Sequence, residues 1–213
     1  MKPGKMSIAE KISAYNRAKK MGLFLNILKP TSESTIIDVG FSDEEYGPSD
    51  NFLEKHYPYP GNITALGIDA PHKFSERYPL VKAVTYKGGI FPFRDKQFDI
   101  CWSNAVIEHV GRRDSQVLFL REAKRVADSV FITTPNRYFP IEVHTRTPLL
   151  HLLPKNLFDK YLCITGKKWA TDAYMNILSL REIKNILSDA HISGYKIIRN
   201  RFLFFTLDFI IIF

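Results

Sequence analysis

The sequence has no apolar run long enough to cross a bilayer as a helix, which takes roughly 20 residues. Its longest run, FLFFTLDFIIIF at 202–213, is broken by Asp208 and reads as a buried strand. Cysteine is scarce. Cys101 and Cys163 sit in apolar strings without Cys-x-x-Cys or Cys/His ligand spacing, which argues against a disulfide framework and against a metal site. The first twenty residues, MKPGKMSIAEKISAYNRAKK, lack the apolar core of a secretory signal, so a cytoplasmic location is expected. Internal repeats and low-complexity stretches are also missing, as is the G-x-G-x-x-G turn of a dinucleotide site.

What is present suits one well-buried domain over 1–213: 213 residues, 45% of them hydrophobic. The formal charge is +8. Basic pairs at Lys19/Lys20, Arg112/Arg113, Lys124/Arg125 and Lys167/Lys168 are not interleaved with aromatics as in a single-strand binding face, so no nucleic-acid partner is expected. Between Arg137 and Lys168, however, the basic residues Arg137, Arg146, Lys155, Lys160, Lys167 and Lys168 face only Glu142 and Asp159. That local excess can attract an anionic partner. With the apolar C-terminus, it is also compatible with weak association with a membrane surface.

Ser7 and Glu10 form a capping box, and Ile8, Ile12, Tyr15, Gly22 and Leu25 recur at helical spacing, which predicts an N-terminal helix within 1–30 ended by Pro30. Strands are predicted near 34–39, 63–69, 81–86, 98–102 and 129–134, with helical stretches near 49–56, 73–78 and 114–127. This alternation gives an α/β fold with a parallel sheet over a core at 34–135. Residues 136–178, rich in proline, aromatics and basic residues, read as an insertion with short helices of its own, TPLLHLLPKNLFDKYL supplying the candidates. A second capping box, Ser179 with Glu182, opens a C-terminal helix, and 179–213 ends in an antiparallel hairpin turning at Arg199, Asn200 and Arg201.

The stretch STIIDVGFSDEEYGP at 34–48 poses the functional question, because Asp38 interrupts an otherwise apolar strand and an acidic loop follows. In an open parallel sheet, ligands bind beyond the carboxyl ends of the strands, and Gly40 lies at the first such turn. Asp69 ends the second strand, ITALGIDA, where an acid can accept hydrogen bonds from a ribose diol, although it could equally cap a helix before Pro71. Asp43, Glu44 and Glu45 make a poor home for a pyrophosphate. They are compatible with a ligand bearing an ammonium and a sulfonium, as S-adenosylmethionine does.

IIDVG, LGIDA, FPFRDKQFDICWSNAVIEHV and EAKRVADSVFITTPNRYFP together resemble class I S-adenosylmethionine-dependent methyltransferases of the methyltransferase type 11 branch. The resemblance implies a Rossmann-like fold with a mixed seven-stranded sheet, parallel except for an antiparallel C-terminal hairpin and flanked by helices. It implies S-adenosylmethionine as cofactor, held by Asp38, Gly40, Phe41, Ser42, Asp69, Ala70, Gly88, Asn104 and Ala105. Ser42 and Glu44 replace the second and third glycines of the family's turn, and Lys87 stands where an acid usually meets adenine. Adenine recognition then rests on backbone near Gly88. A non-catalytic module with a degenerate cofactor motif is the alternative.

Transfer of a methyl group needs the nucleophile held in line with water excluded, and an alcohol nucleophile gains from a base that titrates near the working pH. Glu142 and His144 lie two apart in TTPNRYFPIEVHTRTP, so on an extended segment they point the same way, and they are the expected catalytic pair. His109, Arg137 and Arg146 are expected to bind the acceptor, with the two arginines gripping a carboxylate or phosphate bidentately. Glu108 and His109 read either as acceptor-site residues or as a helix-edge pair bonded locally. The expected activity is O-methylation of a small or medium acceptor: a sugar, glycan precursor or lipid-linked metabolite, with 136–178 as a lid.

Overall fold

The computed structural model describes residues 8–142, 145, 147–171 and 175–213. Its elements are α1 (Ile8–Leu28), β1 (Ile36–Val39), α2 (Phe52–His56), β2 (Ile63–Gly67), α3 (His72–Arg77), β3 (Lys82–Thr85), β4 (Phe98–Asn104), α4 (Arg113–Val126) and β5 (Ala127–Pro135). These are followed by β6 (Ile141–Glu142), β7 (Thr147–Pro148), α5 (Lys155–Ile164), α6 (Leu180–Asp189), β8 (Lys196–Phe202) and β9 (Phe205–Ile212). Seven strands form a mixed sheet in the order β3-β2-β1-β4-β5-β9-β8, and β6 pairs with β7 separately. Strands, helices and hairpin agree with the architecture predicted from the resemblance.

The chain forms two compact units. One comprises Met1–Lys87 with Phe98–Ile100, the other Gly88–Gln97 with Cys101–Phe213. In the first, β1 pairs parallel with β2, and β2 parallel with β3. All four residues of β1 are buried, as expected of a parallel strand covered on both faces. Phe41 leaves the end of β1 and lays its ring on Gly67. A Cβ at Gly67 would come within 2.6 Å of that ring, which explains a glycine inside a strand. The capping box expected at the start of α1 involves Ser7, which lies outside the described residues. Among the described side chains of α1, Lys20, Met21 and Phe24 are buried, while Tyr15 and Leu25 of the predicted stripe are exposed.

In the second unit, α4 buries Val117, Leu120, Ala123 and Val126 at spacings of three, the signature of an amphipathic helix on a core. Trp102 stacks on Phe131 with ring centroids 5.1 Å apart. The capping box of α6 forms as predicted: the Ser179 side chain accepts the Glu182 N–H, and the Glu182 carboxylate accepts the Ser179 N–H. β5 pairs antiparallel with β9, and β9 with β8. The hairpin turn is not at Arg199, Asn200 and Arg201, which lie within β8, but at Leu203 and Phe204. The polar triplet misleads because Asn200 is a buried sheet residue directly opposite Asp208, donating to its carboxylate at 3.1 Å. Asp208, the one interruption of the apolar run, is thereby satisfied inside the sheet.

Residues 136–178 leave β5 and return with their ends joined. Asn136 bridges to Leu178, and Arg137 N–H donates to the Leu178 carbonyl at 3.1 Å. Between them, the expected short helices appear as α5 and single turns at Leu150–Leu152 and Lys168–Ala170. Phe158, Leu162, Ala170 and Met175 form a small core there.

Candidate active site

The acidic loop after β1 is held by its own neighbours. Asp43 accepts the Phe74 N–H at 2.8 Å, capping the first turn of α3 from a distance, and its carbonyl accepts from Arg77. Glu44 pairs with Lys73. Glu45 accepts from Tyr78 at 2.6 Å and pairs with Lys55 at 2.9 Å. Burial would push the Glu45 carboxyl up, but hydrogen bonds from Tyr78, Lys55 and Asn51 outweigh it and hold it below its usual range. The three carboxylates expected to meet a cationic ligand are therefore engaged within the protein. Ser42 is part of the same scaffold: its N–H donates to Asn51 Oδ1 and its carbonyl accepts from Asn51 Nδ2, each at 2.9 Å.

Gly40 has φ of 111°, in the region that favours glycine, and its N–H donates to the Leu66 carbonyl at 2.8 Å. The Phe41 ring, buried against Gly67 and 4.5 Å from the Phe74 ring centroid, is committed to the core. Only the backbone of Phe41 is left for a ligand.

Asp38 does have a reason to be in β1. It is buried beside Glu54 of α2, also buried, whose two carboxyl oxygens have no hydrogen-bond partner among the described residues. Burial first, and then the Glu54 charge, push the Asp38 carboxyl well above its usual range, with Arg17 of α1 opposing. Burial likewise raises Glu54, aided by the charge of Glu45 and opposed by Lys55. A raised folded-state value means that the folded chain keeps a proton the unfolded chain has released. Stability contributed by the pair should therefore fall as pH rises from about 4, near the unfolded values, through the raised range. Glu54→Gln removes one buried titrating carboxyl and the charge that raises the other, so it should raise the urea midpoint at pH 8 and flatten its dependence on pH. A variant as pH-dependent as the parent would show that the pair does not govern that dependence.

Asp69 and Ala70 are exposed beyond the end of β2. The Asp69 carbonyl accepts from Thr85 Oγ1 at 3.2 Å, while its carboxylate has no hydrogen-bond partner among the described residues. It does not cap α3, whose first turn is served by Asp43. In the second unit, Gly88 and Gly89 have φ of 83° and 80° with open space where a Cβ would stand, so backbone is accessible there. Ala105 has φ of 60°, and its N–H donates to the Thr133 carbonyl at 2.9 Å. Asn104 Oδ1 accepts from Thr133 Oγ1 at 2.6 Å, but Asn104 Nδ2 is buried without a partner. A buried donor left unmade costs about 1–3 kcal/mol.

His109 is exposed on the turn after β4. Its neighbour Glu108 is fully buried and accepts from Thr134 Oγ1 of β5 at 3.0 Å, a partner distant in the chain rather than a local one. Glu142 is buried, and its carboxylate accepts from both the N–H and the hydroxyl of Thr145, closing the turn between β6 and β7. His144 and Arg146 lie outside the described residues. Arg137 donates through Nε to the Ile177 carbonyl at 3.0 Å and through Nη1 to Glu182 at 2.7 Å, which leaves Nη2 for a ligand.

Within 136–178, the structure adds a residue that sequence reasoning missed, His151. A cavity of about 440 Å³ is lined by Arg137, Tyr138, His151, Phe158, Met175 and Asn176, among others, all in the second unit. This lies within the range of small-molecule sites. His151 Nε2 is 3.0 Å from the Arg137 carbonyl, which fixes the proton on Nε2 and leaves Nδ1 as the acceptor. Nδ1 is buried and has no partner. The only signal in the sequence is a lone histidine inside LLHLLP.

Comparison with known proteins accords with this picture. Residues 53–129 match a family described as Methyltransferase domain. No curated protein matches the sequence. Among solved structures, an S-adenosylmethionine-dependent methyltransferase from Aquifex aeolicus is 17% identical, over 92% of this chain and 96% of its own, with a TM-score of 0.53. The 1,6-didemethyltoxoflavin-N1-methyltransferase of Burkholderia thailandensis, with S-adenosylhomocysteine bound, is 13% identical over 92% of this chain and 76% of its own, with a TM-score of 0.56. Magnesium protoporphyrin IX methyltransferase from Synechocystis is 12% identical over 98% of this chain and 88% of its own, with a TM-score of 0.59. These likenesses establish the fold, that of class I S-adenosylmethionine-dependent methyltransferases, and the family match over 53–129 supports methyl transfer from S-adenosylmethionine as the chemistry.

Proposed function

We propose that the enzyme methylates an oxygen of a small or medium acceptor, such as a sugar, glycan precursor or lipid-linked metabolite with anionic character, and that 136–178 forms the part that receives it. The observation that carries this reading is the cavity built largely from that segment. It combines an apolar wall of Phe158 and Met175, the cation Arg137 and the uncommitted Nδ1 of His151. A hydroxyl can donate to such a nitrogen, and an anionic group is favoured by Arg137. The Burkholderia and Synechocystis enzymes share the fold while their names give different acceptors, so fold alone does not choose the acceptor atom. Oxygen is favoured here because histidines are at hand as bases.

For the cofactor, we assign Asp38, Gly40, Phe41, Ser42, Asp69 and Ala70 in the first unit, and Gly88, Asn104 and Ala105 in the second. Bound S-adenosylmethionine supplies an electrophilic methyl group on a sulfonium. Asp69 accepts from the ribose hydroxyls, the backbone at Gly88 approaches the adenine, and the Asn104 amide finds a partner. Titration calorimetry with S-adenosylmethionine and S-adenosylhomocysteine tests the assignment. Asp69→Ala should weaken binding by about 1.5–3 kcal/mol, the range for hydrogen bonds to a charged group, in a protein that remains folded. Unchanged affinity would remove Asp69 from the site. Mass spectrometry of the product formed from isotope-labelled cofactor tests the acceptor atom, and a methyl group on nitrogen or carbon would overturn the oxygen assignment.

A further inference from the structure

Residues 149–169 expose much apolar surface. Leu149, Leu152, Leu153, Leu157, Ile164 and Trp169 are each at least 46% accessible. The turns at Leu150–Leu152 and Lys168–Ala170 both pack on α5, so these side chains belong to one small structure. Helix α5 has two apolar faces. Phe158 and Leu162, four apart, are buried against Ala170 and Met175. Leu157 and Ile164, seven apart and so in line along the helix, lie well away from that core, with exposed Lys160 between them. A face of this kind on a monomer marks an interaction surface.

The charge on the patch indicates its partner. Lys155, Lys160, Lys167 and Lys168 stand against the single acid Asp159. Lys155 pairs with Asp159 at 3.3 Å, whereas Lys160 and Lys168 have no ionic partner among the described residues. Protein interfaces deplete lysine at their centres, and a net positive patch repels its own copy across a two-fold axis. Exposed leucines and a tryptophan interleaved with lysines are instead the composition of a segment that lies in a membrane interface.

We propose that residues 149–169 dock on an anionic lipid bilayer, with Leu157, Ile164 and Trp169 entering the interface and Lys160 and Lys168 meeting the headgroups. The apolar C-terminus cannot serve, because Leu207–Ile212 is buried in β9. The competing surface is the hairpin tip, where Leu203 and Phe204 are exposed. The proposal is independent of which acceptor is methylated.

Co-sedimentation of the full chain with vesicles provides the test. The protein should pellet with an equimolar mixture of phosphatidylglycerol and phosphatidylcholine at low salt, less so as salt is raised, and stay in solution with phosphatidylcholine alone. Leu157→Glu with Ile164→Glu, both at exposed positions, should lower partitioning about tenfold or more through loss of apolar contact. Lys160→Glu and Lys168→Glu should each lower it about fivefold or more on anionic vesicles. Thermal unfolding checks that each variant is folded. The proposal fails if the parent stays in the supernatant at low salt, or if the double apolar variant still pellets. It also fails if Phe204→Ser alone abolishes binding, or if sedimentation equilibrium finds a dimer that the double variant dissolves.

Discussion

Arg125→Ala should lower the free energy of unfolding by about 3 kcal/mol, the lower end of the range for breaking a largely buried ion pair. The guanidinium makes a two-pronged contact with Glu122, at 2.9 Å through Nε and 2.6 Å through Nη2. It also donates to the Phe93 carbonyl at 2.7 Å, the Phe91 carbonyl at 3.0 Å and Asp95 at 2.9 Å. Glu122 in turn accepts the Phe91 N–H at 2.8 Å. Burial would push the Glu122 carboxyl up, but hydrogen bonds from Arg125 and Phe91 hold it below its usual range. Alanine would leave this carboxylate with only the Phe91 N–H, and the Phe91 and Phe93 carbonyls without the guanidinium. The Arg125 side chain is 27% exposed, so water can reach part of the wound, and the lower figure is chosen for that reason. Urea unfolding with an unchanged slope measures the loss. Arg125→Lys should recover only part of it, because an ammonium cannot make the fork. If Arg125→Ala cost less than about 1 kcal/mol, the value of an exposed pair, the pair would belong to the surface. The contacts pin residues 91–95, which follow the Gly88–Gly89 turn assigned to the adenine.

His144→Ala should reduce turnover on an alcohol acceptor by about a hundredfold or more while leaving cofactor affinity unchanged, as loss of a general base does. The expectation rests on the two-residue spacing of Glu142 and His144 in the sequence and on an imidazole's ability to titrate near neutrality. Because the Glu142 carboxylate is occupied by Thr145, Glu142→Gln, which keeps an acceptor for that turn, separates its two roles. Little change in rate would leave Glu142 a turn residue, and a fall of about tenfold or more would make it the group that orients the imidazole. Arg146→Ala should weaken acceptor binding most at low ionic strength, since the interaction proposed is with an anion. Should His144→Ala retain the parent rate, the base must be sought at His151, whose Nδ1 already has the required tautomer.

The strand-helix alternation of 34–135 was legible because each parallel strand is a short, nearly continuous apolar string, and β1 is the clearest case. Ser179 and Glu182 announced α6 for a similarly local reason: a capping box closes within four residues. Asn200 defeated the same style of reading. Its partner Asp208 is eight residues away across a hairpin, so a buried polar pair looked like a turn. The acidic loop misled in the same way, its counter-charges Lys55, Lys73 and Arg77 lying elsewhere in the chain.

The sequence by itself determined the class of fold, the alternation of its strands and helices, and the resemblance to class I methyltransferases. These depend on local periodicity and on short motifs whose residues lie close together in the chain. Only the tertiary structure decided what each polar group faces. Asp38 became a carboxyl raised by burial and by the charge of Glu54, Phe41 a core ring over Gly67, and His151 a cavity residue with an uncommitted nitrogen. A side chain's charge and hydrogen-bonding state are set by neighbours that packing brings from distant positions, and the periodicity of a single segment carries no record of them.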